Sequence, residues 1–415
     1  KNLCIFPIDF EALLKEINLI ILYEERDKDM DYGFNEVQQD IRDLAREIAI
    51  EKVKPERARL DEEEVYPYEI MKILAQSNMM GIYIEEKYGG LGGGCMELSI
   101  ATEELSKICG GVAVCFAANA LGSYPIILHG TEDQKNKYLP KVASGEYLAA
   151  FALTEPNVGS DAGSIETTAR EEGDYYILNG TKQWITNGGA ADILTVFAAT
   201  EPGKGARGIS VFIVEKDFPG FIVGSKEKKL GIRCSDTREL RFENCRVPKE
   251  NMLGKKNRGF RIAMNTFDKS RPGIGAQAVG IAAGALEEAI EFARTRIQFG
   301  QPVSSFQAIQ HMMADCAMQI EAARLLVYQA ARMVDANDPE ASKISAMAKC
   351  YASDVAMKAT IDCIQICGGN GYMREFPVEK YMRDAKITQI YEGTNQIQRT
   401  IIGLELIKEA AQKKK

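Results

Sequence analysis

Only two histidines, His129 and His311, occur in 415 residues, so a His-based metal site or a Ser-His-Asp triad is hard to build. Carboxylates are therefore the candidate bases. Glu392 lies in Ile390-Tyr391-Glu392-Gly393-Thr394-Asn395, between two helical stretches. Gly393 permits a sharp turn, and the apolar neighbours point to burial. Burial disfavours the charged form of a carboxyl, raises its pKa and makes it a better base for a carbon acid. Read alone, a surface or helix-capping glutamate remains the commoner outcome for such a residue.

Two further segments have the chemistry to grip a flat or anionic ligand. Phe151-Ala152-Leu153-Thr154-Glu155-Pro156-Asn157-Val158-Gly159-Ser160-Asp161 runs from an apolar strand into a polar turn with hydroxyls and free backbone N–H groups. Trp184-Ile185-Thr186 holds the only tryptophan; in a strand, 184 and 186 share a face, placing an aromatic plane beside a hydroxyl. An ordinary loop and a core tryptophan are the plainer readings of these two segments. The glycine-rich run at 89–94 lacks the GxGxxG spacing and a preceding strand, so it reads as a turn and not as a dinucleotide-binding loop.

Composition narrows the class. Hydrophobic residues make up 46% and charged residues 27%, as in soluble globular chains, and the length allows two or three domains. A net charge of −8 argues against a general nucleic-acid binder. The 10 cysteines have no zinc-type spacing, so no metal is expected; Cys363 and Cys367 read as core residues of a helix, and the scatter suits a reducing compartment. The apolar run Ile17–Tyr23 is far short of a bilayer span, so no membrane association is expected. Residues 1–29 read as an extension ahead of a helical domain, and 412–415 as a solvated tail.

Three textures position these residues. Residues 30–148 carry helical spacing, with helices over Tyr68–Asn78, Cys95–Ile108 and Val114–Leu128. Residues 149–258 are strand-rich: Tyr175–Leu178 and Thr181–Thr186 flank Asn179-Gly180, a hairpin signal, followed by Ile193–Ala198, Ile209–Glu215, Phe221–Val223 and Glu239–Phe242. Residues 259–411 return to long helices over Ala276–Arg296, Phe306–Asp335, Pro339–Cys367 and Thr394–Ala411, a bundle. The expected fold is mainly α with a central β domain: an α-helical N-terminal domain, a β-barrel or sandwich in the middle, and a C-terminal four-helix bundle.

Five segments, in order and in register, resemble the acyl-CoA dehydrogenase family: Ala152–Asp161, Asn179–Asn187, Phe267–Gly280, Arg294–Gln307 and Gln365–Arg399. The resemblance spans roughly residues 30–411 and implies the same three domains, with FAD between the middle and C-terminal ones. It implies that Phe151, Leu153, Thr154, Gly159 and Ser160 border the flavin and the substrate's CoA arm, with Trp184 and Ile185 against the ring and Thr186 near N5. Arg296, Phe299, Gln307 and Gln365–Gly369 (with Ile366, Cys367 and Gly368) would hold a neighbouring subunit's FAD. Thr394, Asn395 and Gln396 would reach its pyrophosphate from the other side, making a homotetramer part of the site. Asp268, Arg271, Tyr391 and Gly393 fall at substrate positions.

By the same resemblance Glu392 takes the pro-R α-proton of an acyl-CoA while a β-hydride moves to flavin N5. Its backbone N–H and a ribityl hydroxyl would stabilise the thioester oxygen. The product is a trans-2-enoyl-CoA, and an electron-transfer flavoprotein receives the electrons. Some subfamilies place the base just before the helix arginine; here Ser270 stands there. Val112–Leu121 carries no charge, which disfavours a dicarboxylic substrate, and Ala117 and Ala118 leave depth for a straight short to medium chain. The rivals are an oxidase, the same site run as an enoyl-CoA reductase, and a non-catalytic FAD- or CoA-binding scaffold. The expected compartment is the cytoplasm, or the mitochondrial matrix in a eukaryote. The basic run Lys255-Lys256-Asn257-Arg258 has no functional reading.

Overall fold

In the computed structural model, residues 32–412 are described; the proposed extension and the last three lysines lie outside them. The chain enters through α1 (Glu36–Ile48), α2 (Arg57–Glu62), α3 (Tyr68–Gln76), α4 (Cys95–Ile108), α5 (Gly110–His129) and α6 (Glu132–Ala143). The helix over 95–108 has the bounds read from sequence; α5 begins four residues earlier than expected. α5 is the helix among the described residues that is long and apolar enough to cross a membrane, yet 78% of its most apolar window is buried inside the protein. It serves as a central core helix.

The middle region forms β1 (Ala149–Ala152), β2 (Thr168–Glu172), β3 (Tyr175–Ile185), β4 (Ile193–Ala199), β5 (Ile209–Glu215), β6 (Phe221–Lys226), β7 (Arg238–Pro248) and β8 (Met252–Leu253). The order is β6-β7-β3-β2-β4-β5-β8, with β1 parallel to β4. This corrects the barrel: β6 and β8 end an open sheet. β8 has two residues and β6 is partly exposed along its length, so neither edge offers a ladder that closes the sheet. Ile193 and Phe197 of β4 face one core while Leu194, Val196 and Ala198 face another, so its apolar run is buried on both sides.

The expected hairpin at Asn179-Gly180 is also corrected. β3 is one strand through this dipeptide, and its register against β7 shifts between Leu178 and Gly180. Gly180 is required for a different reason: a Cβ there would lie 2.5 Å from Thr167 Oγ1. Asn179 Oδ1 accepts from the Asn244 backbone at 2.8 Å, which pins the irregularity. The true two-residue turn is Gly173-Asp174, closing the pair Glu172–Tyr175, with Gly173 at φ 56°.

The C-terminal region contains α7 (Gly259–Thr295), a short ribbon of β9 (Ile297–Gln298) and β10 (Gln301–Pro302), α8 (Gln307–Asp335), α9 (Ala341–Cys367), α10 (Val378–Thr388) and α11 (Asn395–Gln412). α7 starts 17 residues before the expected helix at 276, and it runs through Pro272. α10 was not expected. α7 packs tightly on α4: a Cβ on Gly280 or Gly284 would come within 2.3 or 1.9 Å of a carbonyl oxygen of α4. As expected, Cys363 and Cys367 are buried free thiols of α9.

Candidate active site

Glu392 occupies the turn between α10 and α11 with φ 52°, a left-handed conformation uncommon for a residue with a side chain. Several side chains hold it there. Gln398 Nε2 donates to the carbonyls of Glu392 at 3.1 Å and Gly393 at 2.9 Å. From α9, Lys349 Nζ donates to the Gly393 carbonyl at 2.7 Å and to Asn395 Oδ1 at 2.9 Å. Gly393, at φ 92°, has a backbone conformation that residues with a side chain rarely adopt, and a Cβ would also displace Gln398 Nε2, 2.7 Å away. Tyr391 is tied to Gln277 of α7 through its hydroxyl.

The Glu392 carboxylate accepts from Ser270 Oγ at Oε2, 2.5 Å away. Oε1 and the Glu392 backbone N–H make no hydrogen bond with the described residues. Burial pushes the carboxyl up to about 7, against the opposing pull of the Ser270 hydrogen bond and of the Arg271 and Lys349 charges. Arg271 is itself nearly buried, and its Nη1 donates to Asp268 Oδ1 at 3.1 Å.

This carboxylate lines a cavity of about 1080 Å³. α4 and α5 supply Leu98, Val114, Ala117, Ala118, Leu121 and Tyr124 to its lining, none of them charged. Phe151, Leu153, Thr154, Gly159 and Ser160 line it from the β1 loop, and Trp184, Ile185 and Thr186 from the end of β3. Trp184 reaches it by an unexpected geometry. β3 gains one residue over β7 between Lys182 and Ile185, Trp184 has φ 58°, and the strand ends at Ile185. The alternation that placed 184 and 186 on one face therefore fails, and a bulge re-aims the indole. It is 58% exposed. The side-chain hydroxyls of Thr154, Ser160 and Thr186 make no hydrogen bond within the described chain.

Ser270, Arg271, Tyr391, Gly393 and Thr394 also line the cavity. Asp268 does not; it orders α7 by accepting from Arg271 and from Ser342 Oγ of α9 at 2.9 Å. Asn395 does not line it either. Its amide is engaged with Cys350, Ser353 and Asp354, which anchors the start of α11 on α9. Arg296, Phe299, Gln307, Gln365, Ile366, Cys367, Gly368, Gly369 and Gln396 stand outside the lining. Phe299 is 94% exposed at the ribbon tip, with Phe306 as its aromatic neighbour among the described residues. Sequence reasoning missed Lys349, Gln277 and Gln398 as supports of the turn, and the hydrogen bond from Ser270. A lysine and glutamines inside otherwise apolar helical faces were the available signal.

Residues 35–146, 150–245 and 257–407 match the acyl-CoA dehydrogenase N-terminal, middle and C-terminal domains. The chain belongs to the acyl-CoA dehydrogenase family. A short-chain-specific acyl-CoA dehydrogenase of Clostridium acetobutylicum is 49% identical over 90% of this chain and 98% of its own. The structure of butyryl-CoA dehydrogenase from Megasphaera elsdenii, 47% identical, superposes with a TM-score of 0.89 over 91% of this chain and 100% of that one. An acryloyl-CoA reductase (NADH) of Anaerotignum propionicum is 45% identical over 94% and 99% of the two chains. The family places this chain among the oxidoreductases.

Proposed function

We propose that this chain is an FAD-dependent dehydrogenase of an unbranched, short-chain acyl-CoA, with Glu392 as the base that takes the α-proton. The observation that carries the reading is Glu392 itself: its pKa is raised to about 7, and Oε1 and its own backbone N–H are uncommitted inside the cavity. A base poised near neutral pH combines the ionised form with useful proton affinity. In this reading the same residue's N–H stabilises the thioester oxygen as it becomes enolate-like, and the proton ends on the Glu392 carboxylate.

The lining fits a flavin. Trp184 offers a solvent-facing aromatic plane, and Thr154, Ser160 and Thr186 offer free hydroxyls around it. When bound, FAD supplies the acceptor for the β-hydride. Thr394 lies at the turn beside the base, and the ribbon and α9-end residues outside the cavity serve the FAD of a neighbouring subunit in a homotetramer. The uncharged α4–α5 lining takes the acyl chain. An electron-transfer flavoprotein takes the electrons, in the cytoplasm or the mitochondrial matrix, where buried thiols stay reduced.

A second reading has one specific support, the acryloyl-CoA reductase relative. A carboxyl near 7 can return the α-proton as readily as it removes it, so the same site runs as an enoyl-CoA reductase when a partner supplies electrons. Anaerobic mixing of the yellow holoenzyme with acyl-CoAs of increasing length tests the main reading. Flavin bleaching is expected fastest with short unbranched chains; no bleaching by any acyl-CoA would overturn the reading.

A further inference from the structure

Behind the cavity wall lies a buried ion pair that the proton-transfer chemistry does not use. Lys182 and Glu155 are 0% and 2% exposed at their side chains, with Nζ 2.6 Å from Oε1. Isolated buried charges are costly and persist only with good geometry and further hydrogen bonds. Both conditions hold here. Lys182 Nζ also donates to the Leu153 carbonyl at 3.0 Å. Glu155 accepts from the backbone N–H groups of Glu166 at 2.5 Å and Thr167 at 3.0 Å. Its own backbone closes the turn to Val158 with two hydrogen bonds of 3.0 Å.

The pair straddles Thr154. Lys182 grips the residue before it and the residue after it, and the next backbone group along β3, Gln183 N–H, donates to the Thr154 carbonyl at 2.8 Å. One residue further on, the bulge turns Trp184 toward the cavity. The two walls of the lining, Leu153-Thr154 and Trp184-Thr186, are thus joined through this pair. Burial pulls the Lys182 ammonium down, with Glu155 partly restoring it. For Glu155, burial acts upward, but Lys182 and the hydrogen bonds outweigh it and hold the carboxyl below its ordinary value, so the pair is ionised at neutral pH.

We propose that the Lys182–Glu155 pair positions the flavin, by fixing the spacing between the loop that carries Thr154 and the strand end that carries Trp184 and Thr186. This rests on the FAD reading of the cavity. Neither residue touches the ligand, so both are positioning residues. Replacing both with apolar side chains of similar size leaves no orphan charge, at the cost of the hydrogen bonds to the Glu166 and Thr167 N–H groups and the Leu153 carbonyl.

The test uses full-length holoenzyme of the wild type, K182M and the K182M/E155L double variant. Trp184 is the only tryptophan, so recovery of its fluorescence on dilution reports FAD leaving the adjacent site. FAD is expected to leave both variants on the order of 10-fold faster, the scale of a lost hydrogen bond to a charged group. In saturating FAD the flavin's visible circular dichroism is expected to change, a signature that a purely stabilising pair would not move. A folded double variant with wild-type release and an unaltered flavin spectrum would overturn the proposal. Wild-type protein that holds no flavin and shows no FAD quenching of Trp184 would instead overturn the FAD reading.

Discussion

Glu392 and Phe299 have the same backbone φ, 52°, in opposite surroundings. Glu392 is held from α7, α9 and α11 by Ser270, Lys349 and Gln398. Phe299 sits on a two-stranded ribbon with 94% of its surface exposed. A strained conformation persists only where its surroundings over-determine it. The base turn meets that condition within one chain. At the ribbon tip the same φ comes from the two-residue turn Phe299-Gly300, positive at both residues as a tight hairpin requires, and the ring is left exposed.

The largest expected effect tests the self-contained half. Glu392→Gln keeps the shape of the turn and removes the base, so acyl-CoA-driven flavin bleaching should slow by at least ~100-fold while the protein stays yellow. Normal bleaching in that variant would remove Glu392 from the mechanism. Phe299→Ala tests the other half. A surface substitution should change chain stability by less than about 0.5 kcal/mol. FAD retention on dilution should nevertheless fall by roughly 10-fold if the ring is a neighbour's cofactor contact. Unchanged retention would dissolve the contrast between the two regions.

Two smaller effects sharpen the environment of the base. The pH dependence of bleaching should rise through about 7 as Glu392 ionises. Ser270→Ala removes a hydrogen bond that favours the ionised form, so this limb should move to higher pH and the rate at pH 7 should fall by about 3-fold, with Ser270→Thr restoring it. A limb that stays in place would show that Ser270 is only a packing residue. Stability gives the smallest signal. The folded-state pKa lies above the ordinary 4.5, so the contribution of Glu392 is full below about 4.5 and is lost as pH rises through about 7. Relative to wild type, Glu392→Gln should therefore gain on the order of 1–3 kcal/mol between pH 4 and pH 8 in urea unfolding. A pH-independent difference would contradict the raised pKa.

The difference between the two regions also governs what could be read from residues alone. Helix α4 was legible to its ends because Gly94 and Cys109-Gly110 punctuate a clear helical spacing. α7 was expected only from Ala276, yet packing against α4 and α9 carries the helix through Pro272 and Gly273 back to Gly259. Asn179-Gly180 misled because a close approach to Thr167 and a reversal of chain direction demand the same residue type. The sheet's open edges depend on pairings distant in sequence, and no local pattern encodes them. Glu392, Trp184 and the 151–160 loop were legible as a registered set of motifs. The supports at 277 and 349 were not, since their partners lie 114 and 44 residues away.

Helix α5 carries a consequence for how this chain is made. Its core position depends on partners that follow it in sequence: β1, and α7, where Gln277 donates to the Gly110 carbonyl at 2.9 Å. From His129 to Gly259 the ribosome adds 130 residues, which at roughly 5–20 residues per second takes on the order of ten seconds. During that interval a 20-residue segment with the hydropathy of a membrane span has left the exit tunnel without its cover. Until α7 arrives, α5 presents apolar surface that only the folded chain covers, the kind of transient exposure that favours association between unfinished chains.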